Sequence, residues 1–201
     1  MLREDIVLGR RMPGSRLVER DIAAELKVSR LPVREAIRHL VAEGLVMARP
    51  RTWAVVREYT RADLTDFAEM RAAFESMLFV LATERHDDEG LARLLDVLER
   101  EEHAAAAGES DEAMALAAMF HEQVAVMAAN EMFMELITVF ATRLRWLFGR
   151  HADLTAEAEE HRELYEAMRD RDVERVRELI TRHLELGTIA AMERFAVLPE
   201  A

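Results

Sequence analysis

Three histidines and one arginine stand on helical faces that are otherwise apolar. His121 lies seven residues after Met114 and three before Val124; His161 precedes Leu164, Tyr165 and Met168 by three, four and seven; His183 follows Val176, Leu179 and Ile180 by seven, four and three. An imidazole in such a place is either a hydrogen-bonded core residue or a ligand. Three of them on separate helices make one divalent-metal site only where those helices converge. Arg71 fills the gap in the stripe Leu64, Phe67, Phe74, Leu78, Leu81. A buried guanidinium needs a carboxylate, which either an internal bridge to Glu75 or an anionic ligand would supply, with Arg143 and Arg145 as helpers. His39, His86, His103 and His151 lie among charged residues or at helix ends and read as surface, while Met114, Met119, Met127 and Met132 read as core filling. Cysteine is absent. That removes disulfides, thiolate ligands and thiol nucleophiles, so a metal must sit on His, Asp or Glu, and it suits a reducing compartment.

A second constellation lies near the start. Ser29 caps a helix whose first turns present Arg30 and Arg34, with Arg38 one turn on, so that a stripe of cations can reach one groove of a duplex. The same stripe could be a solvated face paired with Glu35 and Glu43. Every basic residue except Lys27 is Arg, whose planar fork suits phosphates and guanine edges. Residues 1–60 hold 12 basic and 8 acidic side chains (+4), against 15 and 31 (−16) in the remainder. The overall charge of −12 excludes a chain that coats nucleic acid or an acidic membrane along its whole surface, but leaves room for a local basic patch.

These groups must be positioned by 201 residues, 51% of them hydrophobic, with only 7 Gly and 4 Pro. That is enough chain for two small domains with real cores. Residues 2–8 read as a first helix, Glu19 to Leu26 as a second, and Arg30 to Glu43 as a third, with Pro32 tolerated in its first turn and Gly44 stopping it. Leu45 to Met47 and Trp53 to Val56 read as a hairpin. Helix, turn, helix, hairpin is a winged helix-turn-helix over residues 1–59. From Thr60 the pattern predicts six helices: from the Thr60 and Asp63 cap to about Arg85, Asp88 to Ala107, Ser110 to Ala129, Glu131 to Phe148, a fifth capped by Thr155, and a last capped by Asp172. The fold class is mainly α, with residues 60–201 an all-α bundle. No uncharged run reaches membrane-spanning length, and Arg3, Glu4 and Asp5 exclude a signal peptide, so a cytoplasmic protein without a membrane partner is expected.

The segment PGSRLVERDIAAELKVSRLPVREAIRHLVAEGLV, Pro13 to Val46, resembles the DNA-binding domain of GntR-family transcription regulators. FHEQ at Phe120 and HRELYEAMRDRD at His161 resemble the helical FCD effector domain of the FadR-like branch, so the resemblance covers almost the whole chain. It implies a homodimeric regulator, with repression relieved by a small carboxylate effector and double-stranded operator DNA as the partner. It assigns DNA contacts to Arg20, Ser29, Arg30, Arg34, Arg38 and, in the wing, Arg51. It implies that His121, His161 and His183 hold one divalent metal, zinc or nickel, and that Arg71, Arg143 and Asn130 serve the effector. Three positions depart from the family pattern. Thr52 replaces the wing glycine, Val18 the usual Ser or Thr cap, and Ala117 the metal-binding Asp one turn before His121. Members of the family also carry more residues ahead of the first helix. The competing function is a metal-dependent hydrolase built on the three histidines; its weakness is that Glu122, about 100° round the helix from His121, is no well-placed general base.

Overall fold

The computed structural model describes residues 1–49, 53–149 and 153–194. Within them the chain runs α1 (Leu2–Val7), β1 (Arg16–Leu17), α2 (Glu19–Leu26), α3 (Arg30–Ala42), β2 (Val46–Ala48) and β3 (Ala54–Val56). There follow α4 (Arg61–Arg85), α5 (Asp88–Ala107), α6 (Ser110–Met127), α7 (Glu131–Phe148), α8 (Leu154–Arg169) and α9 (Val173–Arg194). The architecture is mainly α, a winged helix-turn-helix followed by six helices.

Between α2 and α3 the chain reverses at Lys27, which takes the left-handed conformation at φ 55°, and re-enters helix after Ser29. Ser29 holds the extended backbone of an N-cap, yet its hydroxyl makes no capping bond, so the first N–H groups of α3 are not satisfied by it. The wing is a three-stranded antiparallel sheet in the order β1, β3, β2, with Leu17 opposite Ala54 and Met47 opposite Val55. The hairpin was expected and β1 was not, because two residues are too few to show alternation.

Thr60 and Asp63 form a reciprocal capping box: Thr60 Oγ1 accepts from the Asp63 N–H at 3.1 Å, and the Asp63 carboxylate accepts from the Thr60 N–H at 2.7 Å. One other start differs from expectation. The cap of α8 is Asp153, whose Oδ1 accepts from the Ala156 N–H at 3.0 Å, which makes Thr155 a residue of the first turn. Ser110 opens α6 as expected. Asp172 caps α9 as expected, through the Arg175 N–H at 3.0 Å.

Two clusters hold the molecule. Phe79, Phe120, Leu94, Leu98, Leu164, Met168 and Ile180 belong to the first, inside the bundle of α4, α5, α6, α8 and α9. The second joins Ile6, Leu17, Leu45 and Val56 of the winged segment to Leu64 of α4, Trp146 and Leu147 of α7, and Ala191 of α9. The winged segment is therefore seated on the helices through shared apolar burial, at about 25 cal/mol per Å². Tyr59 lies at this seam, edge-on to Phe67 (5.7 Å) and Trp146 (5.2 Å). Not every polar or methionine position follows its pattern. His86, expected at the surface, is buried with Nε2 2.9 Å from the Met168 carbonyl oxygen, and Met119 and Met132, expected as core, are exposed. His151 lies outside the described residues.

Candidate metal centre and nucleic-acid interface

Helices α6, α8 and α9 converge and bring His121, His161 and His183 together. One ring nitrogen from each lies within 4.8 Å of the other two, and the ring centroids are 4.9 to 5.2 Å apart. Each ring turns its Nδ1 towards a glutamate: His121 to Glu75 at 2.9 Å, His161 to Glu101 at 2.8 Å, and His183 to Glu160 at 2.8 Å. This fixes the arrangement. The carboxylates hydrogen-bonded at Nδ1 of His161 and His183 select the tautomer with the proton there and leave Nε2 as a lone-pair donor, while His121 Nδ1 meets Glu75 as an ion-pair contact without hydrogen-bond geometry. The Nε2 atoms of His121 and His183 are 3.3 Å apart, close enough for both to lie at ordinary zinc or nickel distance from one ion. His161 Nε2 is fully buried with no hydrogen-bond partner, and its ring stacks on Phe120 at 4.3 Å. A buried unmet acceptor beside two converging nitrogens fits a divalent cation well.

The surrounding charge is negative. Burial works against an ionised Glu75, but Arg71 and His121 overcome it and hold the carboxyl down to about 2. Burial lowers the pKa of His121; His161 is buried too, but Glu101 outweighs the burial and raises it. Glu157, one turn before His161 on α8, is pushed up to about 7 by burial.

Beside His121 opens a cavity of about 110 Å³ lined by α4, α6, α7 and Glu157 of α8. Arg71 is in its wall, 6% exposed, with Nε donating to Glu75 Oε1 at 2.8 Å and its guanidinium over the Phe148 ring at 5.1 Å. Its Nη1 is buried without a hydrogen-bond partner. So Arg71 makes the internal bridge and still has a donor to offer. Ala117, 5% exposed, is in the same wall. The other two residues expected at the effector are placed elsewhere. Arg143 lies over Phe67 and Phe140 at the seam with Gly44, and Asn130 caps α7 through the Phe133 N–H at 3.2 Å. Neither lines the cavity, whereas Arg145 does, and it also pairs with Glu4 of α1 at 3.0 Å.

On the winged segment, Arg20, Arg30, Arg34 and Arg38 are exposed, their side chains 80%, 62%, 45% and 68% accessible. Glu19 of α2 grips Arg34 through two bonds of 2.9 Å and touches Arg30 at 3.4 Å. Arg38 pairs with Glu35, while Glu43, the other carboxylate considered for this stripe, pairs instead with Arg3 of α1. Exposed pairs of this kind are worth little in water and exchange readily for phosphate. Leu31, 64% exposed beside Arg30, offers an apolar contact that no periodicity argument singled out. Arg51 lies outside the described residues.

Residues 66–186 match the FCD domain model, and residues 1–56 match the model for bacterial regulatory proteins of the gntR family. The Nta operon transcriptional regulator of Aminobacter aminovorans is 28% identical over 86% of this chain and 82% of its own. A probable D-xylose utilization operon transcriptional repressor of Paenarthrobacter nicotinovorans is 28% identical over 90% and 80%. Among solved structures, a putative transcriptional regulator GntR from Rhodococcus sp. RHA1 superposes with a TM-score of 0.78 at 26% identity, covering 96% of this chain and 94% of that one. Escherichia coli McbR/YncC shares the fold at a TM-score of 0.82 and 23% identity, over 96% and 94%.

Proposed function

The chain belongs to the gntR family of bacterial regulatory proteins and carries an FCD domain, so it is a DNA-binding transcription regulator and not a hydrolase; from that premise we propose that a small anion bound beside a divalent metal sets its operator affinity. The observation that carries the metal is the set of three imidazoles, each with Nδ1 on its own glutamate and with Nε2 atoms converging. His121, His161 and His183 hold zinc or nickel, and the metal's contribution is a fixed positive charge with open positions for a carboxylate. With Ala117 in place of an aspartate the protein ligands are neutral, which weakens the hold on the metal and strengthens its pull on an anion.

Arg30 and Arg34 at the start of the α3 recognition helix read the major groove, with Arg20 and Arg38 on flanking phosphates. The protein pairs through the helical domain, where Met77, Met119 and Val126 are exposed apolar residues, and two winged domains then meet two half-sites. It acts as a repressor in the cytoplasm. The link from effector to DNA is α7: Arg145 touches both the cavity and Glu4. A ligand that fills the cavity presses on α7 and, through Arg145, loosens the seat of α1.

Metal analysis of untagged protein tests the centre. About one zinc or nickel per chain is expected, lost in His161→Ala. No metal in the native protein, and none taken up from micromolar zinc or nickel, overturns it.

A further inference from the structure

The chemistry of the cavity wall narrows the effector, on the reading just given that this cavity is the effector site. Phe74, Leu78, Ile137, Phe140, Leu144 and Phe148 make most of the wall from α4 and α7, with Ala117, Ala118 and Val124 from α6. The charged lining is Arg71 and Arg145 against Glu75, Glu122 and Glu157, and His121 supplies the imidazole edge. Among the described lining residues there is no Ser, Thr, Asn, Gln, Tyr or Lys.

This wall has very few donors to give. Arg71 already serves Glu75, and Arg145 already serves Glu4; among the described lining residues the buried nitrogens without a hydrogen-bond partner are Arg71 Nη1 and His121 Nδ1, and the second already lies against Glu75, which leaves Arg71 Nη1 as the cationic donor. It lies two contacts from the histidines, through Glu75 Oε2, which is 2.9 Å from His121 Nδ1. One carboxylate can be anchored there. A second carboxylate would sit beside Glu75 and Glu122, and the hydroxyls of a sugar acid would be buried against phenyl rings and leucines. Each unmet polar group of that kind costs about tenfold or more in affinity.

We propose that the effector is a monocarboxylate with a hydrocarbon body, an aryl or medium-chain alkyl acid, its head at Arg71 Nη1 beside His121 and its body between α4, α6 and α7. Di- and tricarboxylates and polyhydroxy acids are excluded by the same wall. Affinity then grows with hydrocarbon length, about three- to fourfold per added methylene until the space is filled.

Calorimetric titration of the full-length, zinc-loaded protein tests this with butanoate, hexanoate, octanoate and phenylacetate against succinate, citrate and gluconate, and with hexanol as the uncharged analogue. The apolar acids should bind at least tenfold more tightly than the polar ones, and hexanoate at least tenfold more tightly than hexanol. Arg71→Gln should erase the difference between hexanoate and hexanol. Because that substitution also strands Glu75, a second variant is needed: Leu136 lines the cavity yet is 45% exposed, so Leu136→Glu folds normally and should cost the apolar acids about tenfold. Tighter binding of succinate, citrate or gluconate overturns this inference and leaves the effector site standing. Equal binding of hexanoate and hexanol overturns the anchor at Arg71. If no acid of either kind binds, the effector reading of the cavity falls with it.

Discussion

Glu157 and Glu75 are both buried carboxylates in one cavity wall, and their surroundings drive them in opposite directions. Burial pushes Glu157 up to about 7, so the folded chain holds a proton there that the unfolded chain releases near its ordinary value of 4.5. A raised folded pKa gives stability that is full below the unfolded value and lost as pH climbs through the folded one. Metal-free protein should therefore lose up to about 3 kcal/mol between roughly pH 4.5 and 7 through this side chain. Glu75 is held to about 2, chiefly by Arg71 and His121 against its own burial, so its contribution is present above about 4.5 and disappears as pH falls towards 2. Urea denaturation at a series of pH values should show Glu157→Gln flattening the slope between pH 4.5 and 7 while leaving the acid limb intact. An unchanged slope in the variant would remove Glu157 from the account. At this scale the sequence was informative about histidines and silent about their partners. His161 and His183 announce themselves because a polar ring interrupts an apolar stripe. Glu101 and Glu160 look like any helical glutamate, since a periodic pattern states which face is buried but not what a neighbouring helix sets against it.

Helix α3 is the element proposed to read the duplex. Its start is open, with Ser29 making no side-chain cap, and Arg30, Leu31 and Arg34 stand exposed over its first turns. Glu19 on the preceding helix holds the Arg34 fork in the free protein, a weak exposed pair that must exchange for the duplex. Arg34→Ala should weaken binding to an operator selected from random duplexes by roughly 1 to 3 kcal/mol if the fork meets a base edge. If it meets a phosphate, the loss is sequence-independent and the slope of log affinity against log salt falls by about one. Fluorescence anisotropy over a salt series separates the two, and an Arg30→Ala, Arg34→Ala double variant with unchanged affinity would rule out α3 as the reader. Most element boundaries could be read in advance because caps and glycines mark them: Thr60 with Asp63, Gly108 and Gly149 stand where expected. The missed start of α8 has one cause, a second capping side chain within two residues. Asp153 competes with Thr155, and the pattern cannot rank them because either position leaves the apolar stripe of α8 facing inward.

For the whole molecule, two features bear on assembly and signalling. A winged domain of this size makes few DNA contacts, so specific binding at cellular salt requires two, and the apolar residues left outside the bundle give pairing a surface. Sedimentation without DNA should give twice the mass of one chain at micromolar concentration; a monomer contradicts the pairing. The other feature is the bond between domains. Had the winged segment been tied on by a polar linker, an event in the helical cavity would have no route to the recognition helix. Instead α7 lends Trp146 and Leu147 to the core beneath the wing, Phe148 to both that core and the cavity wall, and Arg145 to both the wall and Glu4. Arg145 and Glu4 are 30% and 38% exposed, so their pair is worth only about 0.5 to 1 kcal/mol, which suits a contact that must give way. Glu4→Gln and Arg145→Gln should each speed amide exchange in α1 by a few-fold, and the double variant should exchange no faster than either one alone. Octanoate should reproduce the faster exchange in the unmodified protein and add nothing in Glu4→Gln, because the Arg145–Glu4 contact that its body disturbs through α7 is already absent. Additive effects of the two substitutions, or an octanoate response that survives Glu4→Gln, would mean that the signal passes through the shared core around Trp146 and not through this pair.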